Sequence, residues 1–333
     1  MKQIFLGLGL LLLVSFLDFG RGGYACWAYD LSAAKTALKN KDYSKVIDLL
    51  SPEVENLDRE GLFALAKAYS SQKKSAAAIK AYTAALALNS KDVEAKTLIG
   101  AELFVSGKEK ESVNMLKEAL EINPKFVPAF KVLIRVYEKR KNKYELRLLY
   151  QDLVDKVGEK AEYITKLCEL STADGLYDLS KKYCARGIEL SPEEPSNYVH
   201  LGTTLKETGN IKEAESNLKK AADDFQKSVL SLMTYAKFLD DQKNYILSYT
   251  YYKKAVEVAS KDTAPLLGLA NATLEIQKYQ ESLEAYLKAC KMDKASIANF
   301  RRSTNVLRTM KLETWLRKFE SALDECESSA KDF

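Results

Sequence analysis

One histidine and five cysteines carry most of the reactive side-chain chemistry in this 333-residue chain. His200 lies in "YVHLGTTLKETGNIKEA", Tyr198–Ala214, between aromatic and aliphatic neighbours and two residues before Gly202. A multi-histidine zinc site is excluded by the count, and any serine or cysteine triad would have to use His200. No serine or cysteine stands in a local relation to His200 that suggests activation. The cysteines, Cys26, Cys168, Cys184, Cys290 and Cys326, contain no C-x-x-C pair. A Walker-type glycine–lysine loop and a dinucleotide fingerprint are both absent from the sequence. Carboxylates are plentiful but interleaved with lysines, so no acid/base dyad stands apart. The chemistry on offer therefore predicts a non-catalytic chain needing neither metal nor cofactor.

Composition narrows the class further. Apolar residues make up 47% and charged residues 29%, which is globular rather than disordered. A net charge of +5 from 51 basic and 46 acidic residues is too mild to imply nucleic acid. Only 6 prolines and 14 glycines punctuate the chain, which predicts helices joined by short turns. The first segment differs. Ile4–Leu17, "IFLGLGLLLLVSFL", is apolar after Lys2 and is closed by Asp18 and Arg21. It suits the core of an export signal and falls short of the ~20 residues of a spanning helix. Small-x-small patterns at Gly23–Ala25 and Cys26–Ala28 predict removal of residues 1–25 or 1–28, with a retained anchor helix as the alternative. "GYAC", Gly23–Cys26, resembles a bacterial lipobox, although Gly23 stands where a large aliphatic residue is usual. Cys26 is accordingly a candidate for lipid attachment. The mature chain is expected in the periplasm or cell envelope, lipid-anchored if Cys26 is acylated.

The rest of the chain repeats. Gly100 and Gly202 each precede another glycine by seven residues, Gly107 and Gly209, and the two sets are 102 residues apart, three times 34. A 34-residue frame starting at 59, 93, 127, 161, 195, 229, 263 and 297 aligns small residues at position 8 (Ala66, Gly100, Gly202, Ala236, Ala270). Position 20 is again mostly small, position 24 mostly large (Tyr82, Leu116, Tyr150, Leu218, Tyr252, Tyr286), and position 27 mostly alanine. Glycine recurs at position 15 as Gly107, Gly175 and Gly209.

This pattern resembles the tetratricopeptide repeat, which implies an all-α, right-handed α-α superhelical solenoid of helix pairs. Small residues at 8, 20 and 27 would let helices approach closely, while glycine at 15 would end the first helix without a Cβ penalty. One continuous solenoid is expected, with 29–58 a divergent first repeat, 59–296 seven full repeats and 297–333 a final pair with a cap. Leu312, Trp315, Leu316, Phe319 and Leu323 share one face of that cap, which suits covering the last repeat. Cys168 and Cys184 occupy positions 8 and 24 of one repeat. Free packing cysteines are the plainer reading, and a disulfide in an oxidising compartment is the alternative.

In that family the first helices line a concave groove. The resemblance places Lys131, Arg135, Lys166, His200, Lys206, Lys237, Asn271, Arg301, Arg302, Asn305 and Arg308 along it. The early wall, by contrast, reads as Thr97, Leu98, Ala101, Phe104 and Val105. The basic excess along the later wall predicts a protein or peptide partner with acidic groups. The expected function is an exported scaffold that binds a protein segment, or alternatively a membrane-associated assembly factor of the envelope. "NAT", Asn271–Thr273, matches a glycosylation sequon but falls inside a predicted helix.

Overall fold

The computed structural model describes residues 30–328. The export signal and Cys26 therefore lie outside the described residues. Those residues fall into two compact units divided between Val132 and Leu133. The first contains α1 (Leu31–Lys39), α2 (Tyr43–Leu50), α3 (Arg59–Ser71), α4 (Ser75–Leu88), α5 (Val93–Val105) and α6 (Glu109–Ile122). The division falls within α7 (Val127–Lys139). The second unit contains α8 (Lys143–Val157), α9 (Ala161–Ala173), α10 (Tyr177–Leu190), α11 (Pro195–Glu207), α12 (Ile211–Asp224) and α13 (Val229–Asp241). It continues with α14 (Tyr245–Val258), α15 (Thr263–Glu275), α16 (Tyr279–Met292), α17 (Ile297–Thr309) and α18 (Glu313–Ser328). No strand occurs among the described residues. Each unit is an all-α solenoid in which successive helices pack in consecutive pairs.

The sequence frame maps onto the helices without slippage. First helices begin at Arg59, Val93, Val127, Ala161, Pro195, Val229, Thr263 and Ile297, the eight frame starts. Position 8 is closed by a small side chain, with Ala66, Ala236 and Ala270 fully buried. Where position 20 is serine, its hydroxyl can turn back to the facing helix. Ser112 donates to the Gly100 carbonyl at 2.6 Å, and Ser282 to the Ala270 carbonyl at 2.8 Å. These bonds satisfy a buried hydroxyl that would otherwise cost free energy. Large residues at position 24, such as Tyr82, Leu218, Tyr252 and Tyr286, are buried where the next repeat stacks. Each pair thus completes its core only with its neighbour.

Position 15 uses a left-handed residue at every turn within the frame after a first helix. Gly107, Gly175 and Gly209 have φ near +70 to +80°, but Lys73, Lys141, Lys243, Gln277 and Lys311 adopt φ of 53–61° there without glycine. The backbone at this turn dictates the conformation, and the stack tolerates a Cβ at five of its eight turns. In the divergent first repeat the left-handed residue is Lys41, two places out of the frame.

The carboxyl-terminal helix is a cap. Phe319 is fully buried with Phe300, and Leu323 is buried beside them. Trp315 is half-buried, its ring 5.5 Å from Tyr279. Covering the last repeat is therefore what the apolar face of α18 does. Cys290 of α16 and Cys326 of α18 form a disulfide with Cα atoms 6.4 Å apart, tying the cap to the preceding pair.

Candidate functional site: the wall of first helices

Within the second unit the first helices stand side by side. α9 packs on α11, α11 on α13, α13 on α15, and α15 on α17. In the first unit α1 packs on α3. A helix packed on both flanks and backed by its own partner leaves one stripe open, so positions 2, 5, 6, 9, 12 and 13 of consecutive repeats become neighbours on one wall.

A cavity of about 330 Å³ opens on this wall between α11 and α13. Thr203 and Lys206 form one side, Met233, Thr234 and Lys237 the other, and Leu218 and Tyr252 reach it from the second helices. Lys206 bonds Asp241 at 2.5 Å across the two repeats. Beneath, the Tyr252 hydroxyl donates to Asp240 Oδ2 at 2.8 Å. Burial pushes the Asp240 carboxyl above its usual range, against the pull of hydrogen bonds from Ser248 and Tyr252 and with the push of Asp241. Burial, with the Asp240 charge, likewise raises the Tyr252 phenol, which stays protonated as the donor.

A second cavity, about 480 Å³, occupies the equivalent register of the first unit. Leu38, Phe63, Ala64, Leu98 and Tyr82 supply apolar lining, and Glu60, Lys67, Glu94 and Glu102 supply charge. Phe63 meets Tyr82 edge-on at 5.3 Å, while the Arg59 guanidinium covers Phe63 at 4.0 Å. Arg59 is itself held by Asp92 at 2.5 Å and Glu94 at 2.7 Å. Lys35 pairs with Glu60 at 2.6 Å, and Ser70 donates to Glu102. Burial, followed by the charges of Glu102 and Glu94, pushes the Tyr82 phenol up to about 12. Both cavities join an apolar floor to a rim of ion pairs, a surface suited to a side chain with polar backbone around it.

A family model described as tetratricopeptide repeat matches residues 60–92 and 195–223, the helix pairs that begin these two cavities. Over those two stretches the chain is similar to the tetratricopeptide repeat. No curated protein matches the sequence. Among solved structures, a tetratricopeptide repeat protein from Parabacteroides merdae is similar in fold, with a TM-score of 0.52 and 13% identity over 74% of this chain and 98% of its own. YrrB, described as a TPR protein with an unusual peptide-binding site, is similar with a TM-score of 0.45 and 16% identity over 56% of this chain and 97% of its own.

The 34-residue frame brings some of the expected wall residues together and spends the charge of others. Lys166 pairs with Glu169 at 2.7 Å, Arg301 with Glu327 at 2.6 Å, and Arg308 with Glu320 at 2.6 Å. Arg308 also donates to Asn305 Oδ1 at 2.8 Å. With Lys206 on Asp241, four of the basic candidates already meet carboxylates, so the basic excess read from the sequence is smaller in the fold. Lys131, Arg135, Lys237 and Arg302 are exposed. Asn271 is exposed but its Oδ1 accepts from the Tyr286 hydroxyl at 2.5 Å, and Thr273 is fully buried, which closes the sequon inside α15. His200 is half-buried beside the Lys166–Glu169 pair. Burial holds its imidazole below the usual range, Glu169 opposing and Lys166 reinforcing.

Cys168 and Cys184 are bonded, Cα atoms 4.7 Å apart, between the two helices of one repeat. The Cys290–Cys326 bond has no counterpart in the sequence reading, since its partners lie in different repeats. Glu60, Phe63 and Lys67 were also missed, although the frame assigns them wall positions 2, 5 and 9. Among the described residues no group of three or more histidine, cysteine, aspartate or glutamate side chains is placed to hold a metal.

Proposed function

We propose that the chain is an exported, non-catalytic scaffold that holds a protein segment against the wall of its first helices, with apolar side chains of the segment entering the two cavities. The supporting observation is the repetition of one kind of pocket at the same repeat register in both units, apolar below and charged at the rim. Acidic groups on the segment would meet exposed basic wall residues such as Lys131, Lys237 and Arg302. Because Lys206 already bonds Asp241, affinity for the segment rests first on apolar contact and second on charge.

Export is supported by the apolar run at Ile4–Leu17 and by the pairing of four of the five cysteines, which persists in oxidising compartments. A tethered form, acylated at Cys26, is the second reading, raised by the partial lipobox resemblance of "GYAC". The mass of the mature amino terminus separates the two.

The test of binding is a peptide-display selection on the full chain, repeated with Thr203→Trp and Lys67→Trp. Both substitutions fill a cavity from a side chain that is not part of the core. Enriched sequences that share an apolar anchor and lose binding at least tenfold with either variant support the proposal. Selection of nothing, or of sequences indifferent to both variants, refutes it.

A further inference from the structure

The turn between α7 and α8 and the start of α8 have a character found nowhere on the wall. Between Arg140 and Arg147 there are four basic residues and one acidic one, Glu145. Lys141 holds the left-handed position of the turn with φ 53°, and Lys143 begins α8, both exposed. Beside these cations two large apolar side chains face solvent, Tyr144 at 61% and Leu148 at 40% exposure. Other apolar side chains are exposed along the stack, Val105 and Ile246 among them, but Tyr144 and Leu148 lie one turn apart on α8 and next to the cationic turn.

The patch continues onto the next repeat. Arg147 bonds Asp174 at 3.1 Å and Tyr183 donates to Gln151, so α8 and the α9–α10 turn share an edge. Leu176, which caps α10, and Leu179 in its first turn are both 36% exposed. Four exposed apolar tips therefore lie on α8 and at the start of α10, which the Arg147–Asp174 and Tyr183–Gln151 contacts join.

We propose that this edge docks on an anionic lipid surface. The charge pattern suits a polyanion, because each Lys or Arg near an anionic bilayer contributes about 1 kcal/mol. The apolar tips decide which polyanion. A nucleic acid would be met by stacking aromatics, yet three of the four tips are aliphatic. Aliphatic side chains and a tyrosine beside lysines match the boundary between headgroups and acyl chains. The contact is peripheral, as no helix among the described residues is long and apolar enough to cross a membrane. It leaves the wall of first helices free, since Tyr144, Leu148 and Leu179 belong to second helices.

Flotation of the full chain with phosphatidylglycerol-containing vesicles, against neutral phosphatidylcholine vesicles, tests this. Partitioning onto the anionic vesicles is expected to fall at least about tenfold in Lys141→Glu/Lys143→Glu and in 0.5 M salt. Tyr144→Ser/Leu148→Ser should reduce it while leaving the salt dependence in place. Equal partitioning of the wild type and the charge-reversed variant overturns the proposal, including binding carried by the apolar amino-terminal run. No partitioning, or tighter capture of single-stranded RNA than of the vesicles by the same lysines, overturns it as well. Unchanged helical circular dichroism confirms that both variants, altered only at exposed positions, keep the fold.

Discussion

A Cβ at Gly202 would lie 2.6 Å from Cγ of Leu218 and 3.2 Å from the carbonyl oxygen of Ala214. The first helix of this repeat therefore rests directly on the second. Gly100 stands in the same relation to Leu116, at 2.7 Å, three repeats earlier. A glycine inside a helix costs about 1 kcal/mol against alanine, and close packing of α11 on α12 offsets that cost.

Gly202→Ala should therefore destabilise the protein in spite of its better helix propensity. Overpacking of a filled core costs about 1–3 kcal/mol. Urea denaturation of Gly202→Ala, Leu218→Ala and the double variant checks this. The double variant should be more stable than the sum of the single losses predicts, since shortening Leu218 makes room for the new methyl group.

The turns offer the opposite experiment. Lys243 has φ of +59°, a region that costs a residue with a Cβ about 1–2 kcal/mol. Lys243→Gly removes that cost but frees the unfolded chain, so a net gain of about 0.5–1 kcal/mol is expected. The same change at Lys73 should behave alike, and thermal denaturation of each variant reads it.

Reduction should loosen both ends of the second unit. The Cys168–Cys184 bond closes a separation of 16 residues and Cys290–Cys326 one of 36. Chain entropy puts their contributions at about 3 and 4 kcal/mol. Urea midpoints with and without reductant measure the loss. Alkylation of the denatured, unreduced chain should leave all four cysteines unlabelled, and labelling of any pair disproves that bond.

His200 gives the protein a pH dependence of known sign. Burial lowers its folded pKa below the ordinary 6.5, so as pH falls the unfolded chain takes up the proton first. Its contribution is fully present above about 6.5 and declines as pH drops through 6.5 toward the lower folded value. His200→Gln should narrow the stability difference between pH 7.5 and pH 5.5, as measured by urea midpoints. A difference unchanged by the substitution would show that carboxylates alone set it.

The stack was legible because its contacts are between fixed frame positions. Gly202, Ala214 and Leu218 meet at positions 8, 20 and 24, and one sequence repeats that arrangement many times. The wall was read less well. Lys206 bonds Asp241, 35 residues on, and Arg301 bonds Glu327, 26 residues on, and a list of wall cations does not display carboxylates that come from another helix. The cavity around Phe63 escaped because Phe63 and Lys67 belong to the first repeat of the frame, while the wall was read from Thr97 onward. The Cys290–Cys326 bond depends on how α18 folds back on α16, a contact between different repeats that the frame does not place.

Site-specific photo-crosslinking most directly tests whether the wall of first helices holds a protein segment. A benzophenone side chain would replace Thr234 or Lys67, which line the two cavities, or Lys219, exposed on the second helix α12. Irradiation of cells expressing the full chain should give one common protein adduct from Thr234 and Lys67 and none from Lys219. Adducts from Lys219 in equal yield, or none from either cavity position, would contradict the account.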